Sequence, residues 1–391
     1  MTPPAPITWL PGSTAIATSA GDRQDEAVDL PLNLETILSL AGQRPLEIAL
    51  ARAKAAEAMA RESLAESRWL PTLNPRIAMV RHEDRLQDTV GNLLDVDKQN
   101  AFGGAGVGVL FNPARAYYDT LIAAQHRRAA ELGIQSVQHV NVETAVRMYY
   151  DLVQDVAGLQ IAEQTERQAT ELVKVQQAAR TAGRGLEADV LRAKAFLASA
   201  KGRVARAGAA VQQANARLAG LLVLPDQSQL IPTEQAVVPI DFGEAELEIK
   251  VLLDRATSNR PDLQQARSMI AAADGERARE AWSWLLPELH LGADYGTYGA
   301  TLSRASKRED YFADLQWRVD FGTPARARAA DARHMQAELR MQTSLLKLRT
   351  DLRVAVAEVR ATNSQITAAR EEIAAATAAL DLVKLRNREG R

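Results

Sequence analysis

Five histidines and no cysteine limit the chemistry open to this chain. His82, His126, His139, His290 and His334 show no His-x-x-x-His or comparable ligand spacing, so they are expected on a surface or a lumen wall rather than on a metal. Without cysteine there are no disulfide scaffolds, zinc–thiolate sites, iron–sulfur clusters or thiol nucleophiles. Met335 and Met341 are the closest methionine pair, too sparse for the soft-ligand cluster that copper handling favours. Gly103–Gly108 contains Gly-x-Gly pieces, but no Lys-Ser/Thr follows and the setting reads as a strand, so close strand packing explains it better than a phosphate loop. No set of nucleophile, base and orienting group can be assembled. The sequence therefore predicts no enzyme activity, no catalytic residue, no metal and no cofactor.

If no side chain is placed for catalysis, the elements themselves must carry the function. The chain has 391 residues, 47% hydrophobic and 25% charged, with a formal net charge of −2. This balance excludes a disordered chain and gives no reason to expect nucleic acid as a partner. No run approaches 18 uncharged apolar residues, so no spanning helix is expected. The N-terminal stretch MTPPAPITWLPGSTAIATSAGDR lacks a basic residue before Arg23 and a sustained apolar core, and does not read as a secretory signal.

The chain is one plan used twice. Arg44-Pro45 and Leu70-Pro71-Thr72-Leu73 recur as Arg260-Pro261 and Leu286-Pro287-Glu288-Leu289, both at an offset of 216 residues. Leu172-Val173-Lys174 recurs as Leu382-Val383-Lys384 at an offset of 210. Each copy runs from an Ala/Glu/Arg-rich helix through a proline and two short β-like runs to a very long helix beginning at Pro113 or Pro324. Leu345, Leu348, Leu352, Ala355, Val359, Thr362, Ile366, Ala369, Ile373, Ala376, Leu380 and Val383 alternate steps of three and four, a coiled-coil seam. Val142, Ala145, Tyr149, Leu152, Val156 and Leu159 keep that register in the first copy, and Val190, Leu197, Val204, Val211 and Leu218 follow every seven residues on a partner helix. A helix from 113 to 178 would extend ~100 Å at 1.5 Å per residue, longer than any globular core.

The β runs alternate cleanly. Leu289, Leu291, Ala293 and Tyr295 interleave with Glu288, His290, Gly292 and Asp294. Tyr311, Ala313, Leu315, Trp317, Val319 and Phe321 interleave with Phe312, Asp314, Gln316, Arg318 and Asp320. Such runs approach the ~9–11 residues of a tilted membrane strand, and Trp69, Trp282 and Trp284 precede them where an aromatic belt would lie. A soluble antiparallel sheet shows the same period, so that reading stays open. Four strands cannot close a barrel, so a membrane wall would require several chains.

These features resemble the TolC-like outer-membrane efflux family. The resemblance rests on the duplication, the Leu-Pro-x-Leu lead-in to each strand pair, the helix–hairpin–long-helix order and the turn-around Arg180–Ala193, and it covers roughly residues 32 to 391. It implies a mainly α fold with a small β part: a duplicated helix–β-hairpin–long coiled-coil helix unit forming an α-barrel plus a shared transmembrane β-barrel. The expected divisions are an extended segment 1–31; repeat 1 over 32–222, with strands about 72–82 and 102–112 and helices 113–180 and 186–222; an equatorial linker 223–247; and repeat 2 over 248–391, with strands about 288–298 and 311–321 and helix 324–387.

The resemblance further implies an outer-membrane channel of a tripartite efflux or type I secretion system in a Gram-negative bacterium. Its partners would be a homotrimer's other copies, a periplasmic adaptor, an inner-membrane pump and outer-membrane lipid, with substrates passing through unchanged. The barrel lumen is expected to hold Asp294, Asp314, Gln316, Arg318 and Asp320, and the adaptor-contact tip Gly183, Gly185, Leu186 and Asp189. The second copy stops where the first reaches its tip turn, which reads as a truncated sequence. The alternative is a soluble, elongated coiled-coil scaffold.

Overall fold

The computed structural model describes residues 29–43, 45–87, 89–95, 97–225, 227–233, 248–317 and 320–388. Most of the expected segments 1–31 and 223–247 therefore lie outside the described residues, as does Arg44. The fold is mainly helical with a small β part. The chain divides into two compact units, residues 1–41 with 144–236 and residues 42–143 with 237–391. These units cut across the two sequence repeats.

In the first unit, strand β1 (Asp29–Leu32) pairs in parallel with β6 (Gln229–Pro232), Leu30 opposite Leu230. Helix α1 (Leu34–Ala41) follows, started by Asn33, whose Oδ1 accepts from the Thr36 backbone N–H at 2.8 Å. The unit also holds the later part of α3 (Pro113–Thr181) and all of α4 (Glu187–Leu221). On α3 the buried positions Ala145, Tyr149, Leu152, Ala162, Ala169 and Val173 follow the seven-residue rhythm. On α4, Val190, Ala193, Ala200, Ala214 and Leu218 do the same. Alanines at these positions allow close helix approach, which a larger side chain would prevent. Tyr149 donates its hydroxyl to the Leu32 carbonyl at 3.3 Å, and Asn215 donates to the Ser228 carbonyl while accepting from the Leu230 N–H, at 2.8 and 2.7 Å. These bonds tie the small parallel pair to the helices.

The second unit contains both strand pairs. Helix α2 (Leu46–Ser67) leads into β2 (Thr72–His82), and β5 (Lys98–Phe111) leads into the start of α3. Between β2 and β5 lies a small pair, β3 (Arg85–Gln87) and β4 (Leu93–Asp95). Helices α5 (Ile249–Asn259) and α6 (Pro261–Trp282) lead into β7 (Glu288–Gly299) and β8 (Ala305–Gln316), and α7 (Thr323–Arg388) follows. Pro261 at the first position of α6 suits the helix start, where its missing N–H has no partner to lose. The four long strands form one antiparallel sheet in the order β2-β5-β7-β8. The two repeats therefore meet edge to edge through β5 and β7.

The second hairpin differs from the alternation in its sequence. The apolar/polar pattern suggests a strand over 311–321, whereas β8 spans Ala305–Gln316. Pairing with β7 decides this: Gly299 opposes Ala305 and Glu288 opposes Gln316, so the strand ends where its partner does. Residues 305–310 belong to the strand although Ser306–Asp310 is polar on both faces and carries no period-two signal. Similarly, β5 begins four residues before the expected position. Along α7, the seam residues Val359, Ile373, Leu380 and Val383 are exposed. Among the described residues no helix is long and apolar enough to cross a membrane.

Candidate functional site

The registers place every other residue of the four-stranded sheet on a common face. One face carries Leu73, Pro75, Ile77 and Met79 of β2; Ala105, Val107 and Val109 of β5; Leu289, Leu291, Ala293 and Tyr295 of β7; and Tyr311, Ala313 and Leu315 of β8; toward the hairpin ends the same face turns charged, with Arg81 of β2 and Lys307 and Glu309 of β8. Most of its large side chains are exposed: Leu73 at 70%, Ile77 at 82% and Tyr311 at 79% of their full accessible area. In water such an apolar face would normally be covered by a helix layer or a second sheet.

The opposite face is polar. Its rows run Leu110–His290–Asp314, then Thr72–Gly108–Gly292–Phe312, then Asn74–Gly106–Asp294–Asp310, then Arg76–Gly104–Gly296–Arg308. His290 Nδ1 lies 3.0 Å from Asp314 Oδ1, and Arg308 Nε donates to Asp310 Oδ2 at 2.6 Å while its guanidinium covers the Tyr298 ring. Of the residues expected in a lumen, Asp294, Asp314 and Gln316 thus share this face. Arg318 lies outside the described residues. Asp320 lies beyond β8, in the turn before α7, where Oδ1 accepts from the Gly322 N–H at 2.7 Å and Oδ2 pairs with Arg326. Asp320 is therefore a helix-start residue rather than a strand residue, because β8 ends with its partner β7.

Arg76, Arg308 and Asp310 are polar-face residues that sequence reading did not single out. For Arg308 and Asp310, starting the strand at Tyr311 excluded them; the turn signals at Gly299–Ser303 could have moved the start.

Below the strands, the helix junctions are joined by charges. Asp119 pairs with Arg68 and with Arg279 at 2.8 Å; Arg279 reaches Glu280 at 3.0 Å; Arg326 lies 3.4 Å from Glu280 and pairs with Asp320. The hydrogen bond of Arg326 to Asp320 raises its already high affinity for a proton; partial desolvation works against this, and the Asp320 and Glu280 charges add to it. Asn112 adds a neutral link, donating Nδ2 to the carbonyls of Ser283 and Leu286 at 3.0 and 2.7 Å. Trp69, Trp282, Trp284 and Trp317 are exposed near these junctions.

The second candidate site belongs to the first unit. After α3, Gly183 adopts φ +71° and its N–H bonds to the Arg180 carbonyl at 2.9 Å, a left-handed helix stop. Gly185 comes close to Ala179, and an added Cβ there would lie 3.2 Å from the alanine's Cβ. Leu186 precedes α4 and is 70% exposed. Asp189 sits in the first turn of α4, where negative charge is favourable, and pairs with Arg192 at 3.2 Å. Arg180 and Glu187 pair across the turn. Among the described residues no group of three or more histidine and carboxylate side chains could hold a metal.

Residues 252–391 match the model of the outer membrane efflux protein family. No curated protein matches the chain in sequence. Solved structures match more widely. The outer membrane protein VceC from Vibrio cholerae is similar at a TM-score of 0.76 with 16% identity, over 92% of this chain and 86% of its own. The open state of the MtrE outer membrane channel from Neisseria gonorrhoeae is similar at 0.72 with 18% identity, over 92% and 80%. The CmeC outer membrane channel from Campylobacter jejuni is similar at 0.72 with 16% identity, over 83% and 70%. Residues 252–391 thus carry the sequence pattern of the outer membrane efflux protein family, and the chain has the TolC-like fold of outer-membrane channels.

Proposed function

We propose that the chain is a protomer of an outer-membrane efflux channel, a passive conduit rather than an enzyme. The observation that carries this reading is the four-stranded sheet, with one exposed face apolar over its helix-proximal stretch, the other polar, and both edges unpaired among the described residues. Lipid supplies no hydrogen bonds, so a sheet in a membrane must close upon itself. The strands alternate in direction, so β8 of one copy and β2 of the next run antiparallel, and several copies can close one continuous antiparallel wall. Three copies supply twelve strands, an even number within the range of such barrels. The apolar face would then meet lipid and the polar face the lumen, with Asp294, Asp314 and Gln316 on the bore.

On this reading α3, α4 and α7 are staves of a helical conduit reaching into the periplasm of a Gram-negative cell. The tip around Gly183, Gly185, Leu186 and Asp189 would meet a periplasmic adaptor and, through it, an inner-membrane pump of a tripartite efflux or type I secretion system. A soluble scaffold would need a cover for Leu73, Ile77 and Tyr311, and none of the described elements provides one.

The test is to express the chain in a Gram-negative host with an export signal and purify it from the outer-membrane fraction. A heat-modifiable trimer that gives stable conductance steps in a planar lipid bilayer is expected. A monodisperse soluble monomer that gives no conductance would overturn the proposal.

A further inference from the structure

At the end of the sheet farthest from the helices, the two strand pairs finish differently. The short turn 300–304 closes β7 and β8, whereas β2 and β5 are extended by the β3–β4 hairpin, in which Arg85 opposes Asp95 and Gln87 opposes Leu93. Between β2 and β3, Asp84 takes φ +87°, a left-handed position that breaks the ladder and re-aims the chain. His82 records the direction of the bend. It lies on the polar face with Arg76, opposite Lys98, and its Nε2 is 3.5 Å from the Arg85 carbonyl oxygen. The hairpin therefore sets out over the polar face, away from the apolar one. Arg81 holds the base of this arm, pairing with Glu83 at 2.6 Å and with Asp97 at 3.3 Å.

The far end of the arm is apolar. Val90 is 84% exposed, Leu93 and Leu94 are exposed as well, and Gly91 at φ +95° turns the chain between them. None of the described elements covers these side chains. An apolar hairpin tip in open water marks a contact still to be made. Because the arm leans over the polar face, lipid on the apolar face does not supply that contact.

The reach of the arm indicates what does. An extended chain from Arg85 to Val90 spans up to ~17 Å. Twelve strands spaced ~4.8 Å apart and tilted by ~40° enclose a barrel of radius ~12 Å. An arm of this length, bent inward, reaches the barrel axis, where it meets the same arm of the other copies. The turn 300–304 is too short to do so.

We propose that the β3–β4 hairpins of the copies meet on the barrel axis through Val90, Leu93 and Leu94, narrowing the mouth farthest from the helices with an apolar constriction. Apolar walls at that spacing hold water poorly and so impede ions. The proposal rests on the channel reading, which supplies the closed wall.

The test uses the full chain purified as a trimer from the outer membrane. Leu93→Ser combined with Leu94→Ser should raise single-channel conductance in a planar bilayer at least about twofold, because serine lets the constriction wet. Leu93→Met with Leu94→Met, still apolar, should leave conductance nearly unchanged. Val90→Cys, in a chain with no cysteine of its own, should give a disulfide-linked dimer on mild oxidation, which requires Cα atoms within about 7 Å. Ser303→Cys on the shorter turn should stay monomeric under the same treatment. Unchanged conductance in the serine variant, or only monomer from Val90→Cys, would overturn the proposal. A conducting trimer with either of those results sinks the constriction and spares the channel. No trimer and no conductance, in the unaltered chain and the serine variant alike, sinks both.

Discussion

Arg279 of α6 donates to the Asp119 carboxylate of α3 at 2.8 Å, joining residues 160 positions apart at the base of the sheet. Arg68 comes from the end of α2 to the same carboxylate, while Glu280 and Arg326 carry the alternation of charge on to α7. Each helix that feeds or leaves a strand of the sheet thus contributes to one chain of charges. The two carboxylates are largely withdrawn from water, Asp119 at 13% and Glu280 at 10% exposed, while Arg68 and Arg326 reach out to solvent at 54% and 41%, so removing a carboxylate leaves its guanidinium partners without their counter-charge. Asp119→Ala should destabilise the folded protein by on the order of 2–3 kcal/mol, read as a lower midpoint in thermal or denaturant unfolding. A loss under about 0.5 kcal/mol would mean that the network is surface decoration.

Asp262 offers a pH-dependent counterpart outside the sheet. Burial resists its ionisation, but the Arg260 guanidinium, at 3.0 and 2.8 Å, and the Leu263 N–H, at 2.9 Å, outweigh that and hold its carboxyl below the usual carboxylate range. A folded-state value below the unfolded one stabilises the protein above the unfolded carboxylate range of ~3.9 and is lost as pH falls through the folded value. Asp262→Asn should therefore cost stability at neutral pH, about 0.5–1 kcal/mol for a partly exposed pair, and converge with the unaltered protein in strong acid. Unfolding curves between neutral pH and about pH 2 would read the convergence. A constant gap across that range would refute the assignment.

The two faces of the sheet predict opposite tolerances. Leu291→Arg places a charge on the apolar face and should cost ~2–4 kcal/mol of folding in lipid if it lies near mid-depth. Gln316→Arg puts the same charge on the polar face and should change stability by less than about 1 kcal/mol. Folding into lipid vesicles, followed by gel mobility with and without heating, distinguishes them. Equal tolerance at both positions would favour a sheet surrounded by water.

Edge closure can be tested by cross-linking, since the chain has no native cysteine to interfere. Cysteines introduced together on the two edge strands, at Ile77 of β2 and in turn at Tyr311, Ala313 or Leu315 of β8, should yield a covalent dimer–trimer ladder for at least one pairing. Disulfides need Cα atoms within about 7 Å, so success in one register and failure in its neighbours would define the seam. Monomer in every pairing would remove the shared wall.

At the tip, Leu186→Ser should leave stability within about 0.5 kcal/mol, because the side chain is largely in solvent. Capture of a purified periplasmic adaptor should fall several-fold. Gly183→Ala should instead cost about 1 kcal/mol, the strain of a left-handed position, with a smaller effect on capture. Unaltered adaptor capture by Leu186→Ser would rule the residue out as a contact.

Features carried by short-range periodicity could be read in the sequence. The alternation through Leu289–Tyr295 and the seven-residue rhythm of α3 and α4 follow from the repeats of strand and helix geometry, which every residue reports locally. Proline at 113 and 261 and glycine at 183 mark helix ends because their backbones permit little else or permit more than usual.

Pairing was decided only by tertiary structure. The polar run Ser306–Asp310 has no alternation of its own and becomes strand because β7 offers a ladder opposite it. Asp320 consequently passes from strand to helix start. The joining of the repeats through β5 and β7, the Arg279–Asp119 pair, and the seating of Asp294 on Gly106 depend on residues 160 or more positions apart. Sequence spacing does not encode such separations, since they are set by how the sheet and helices pack once formed.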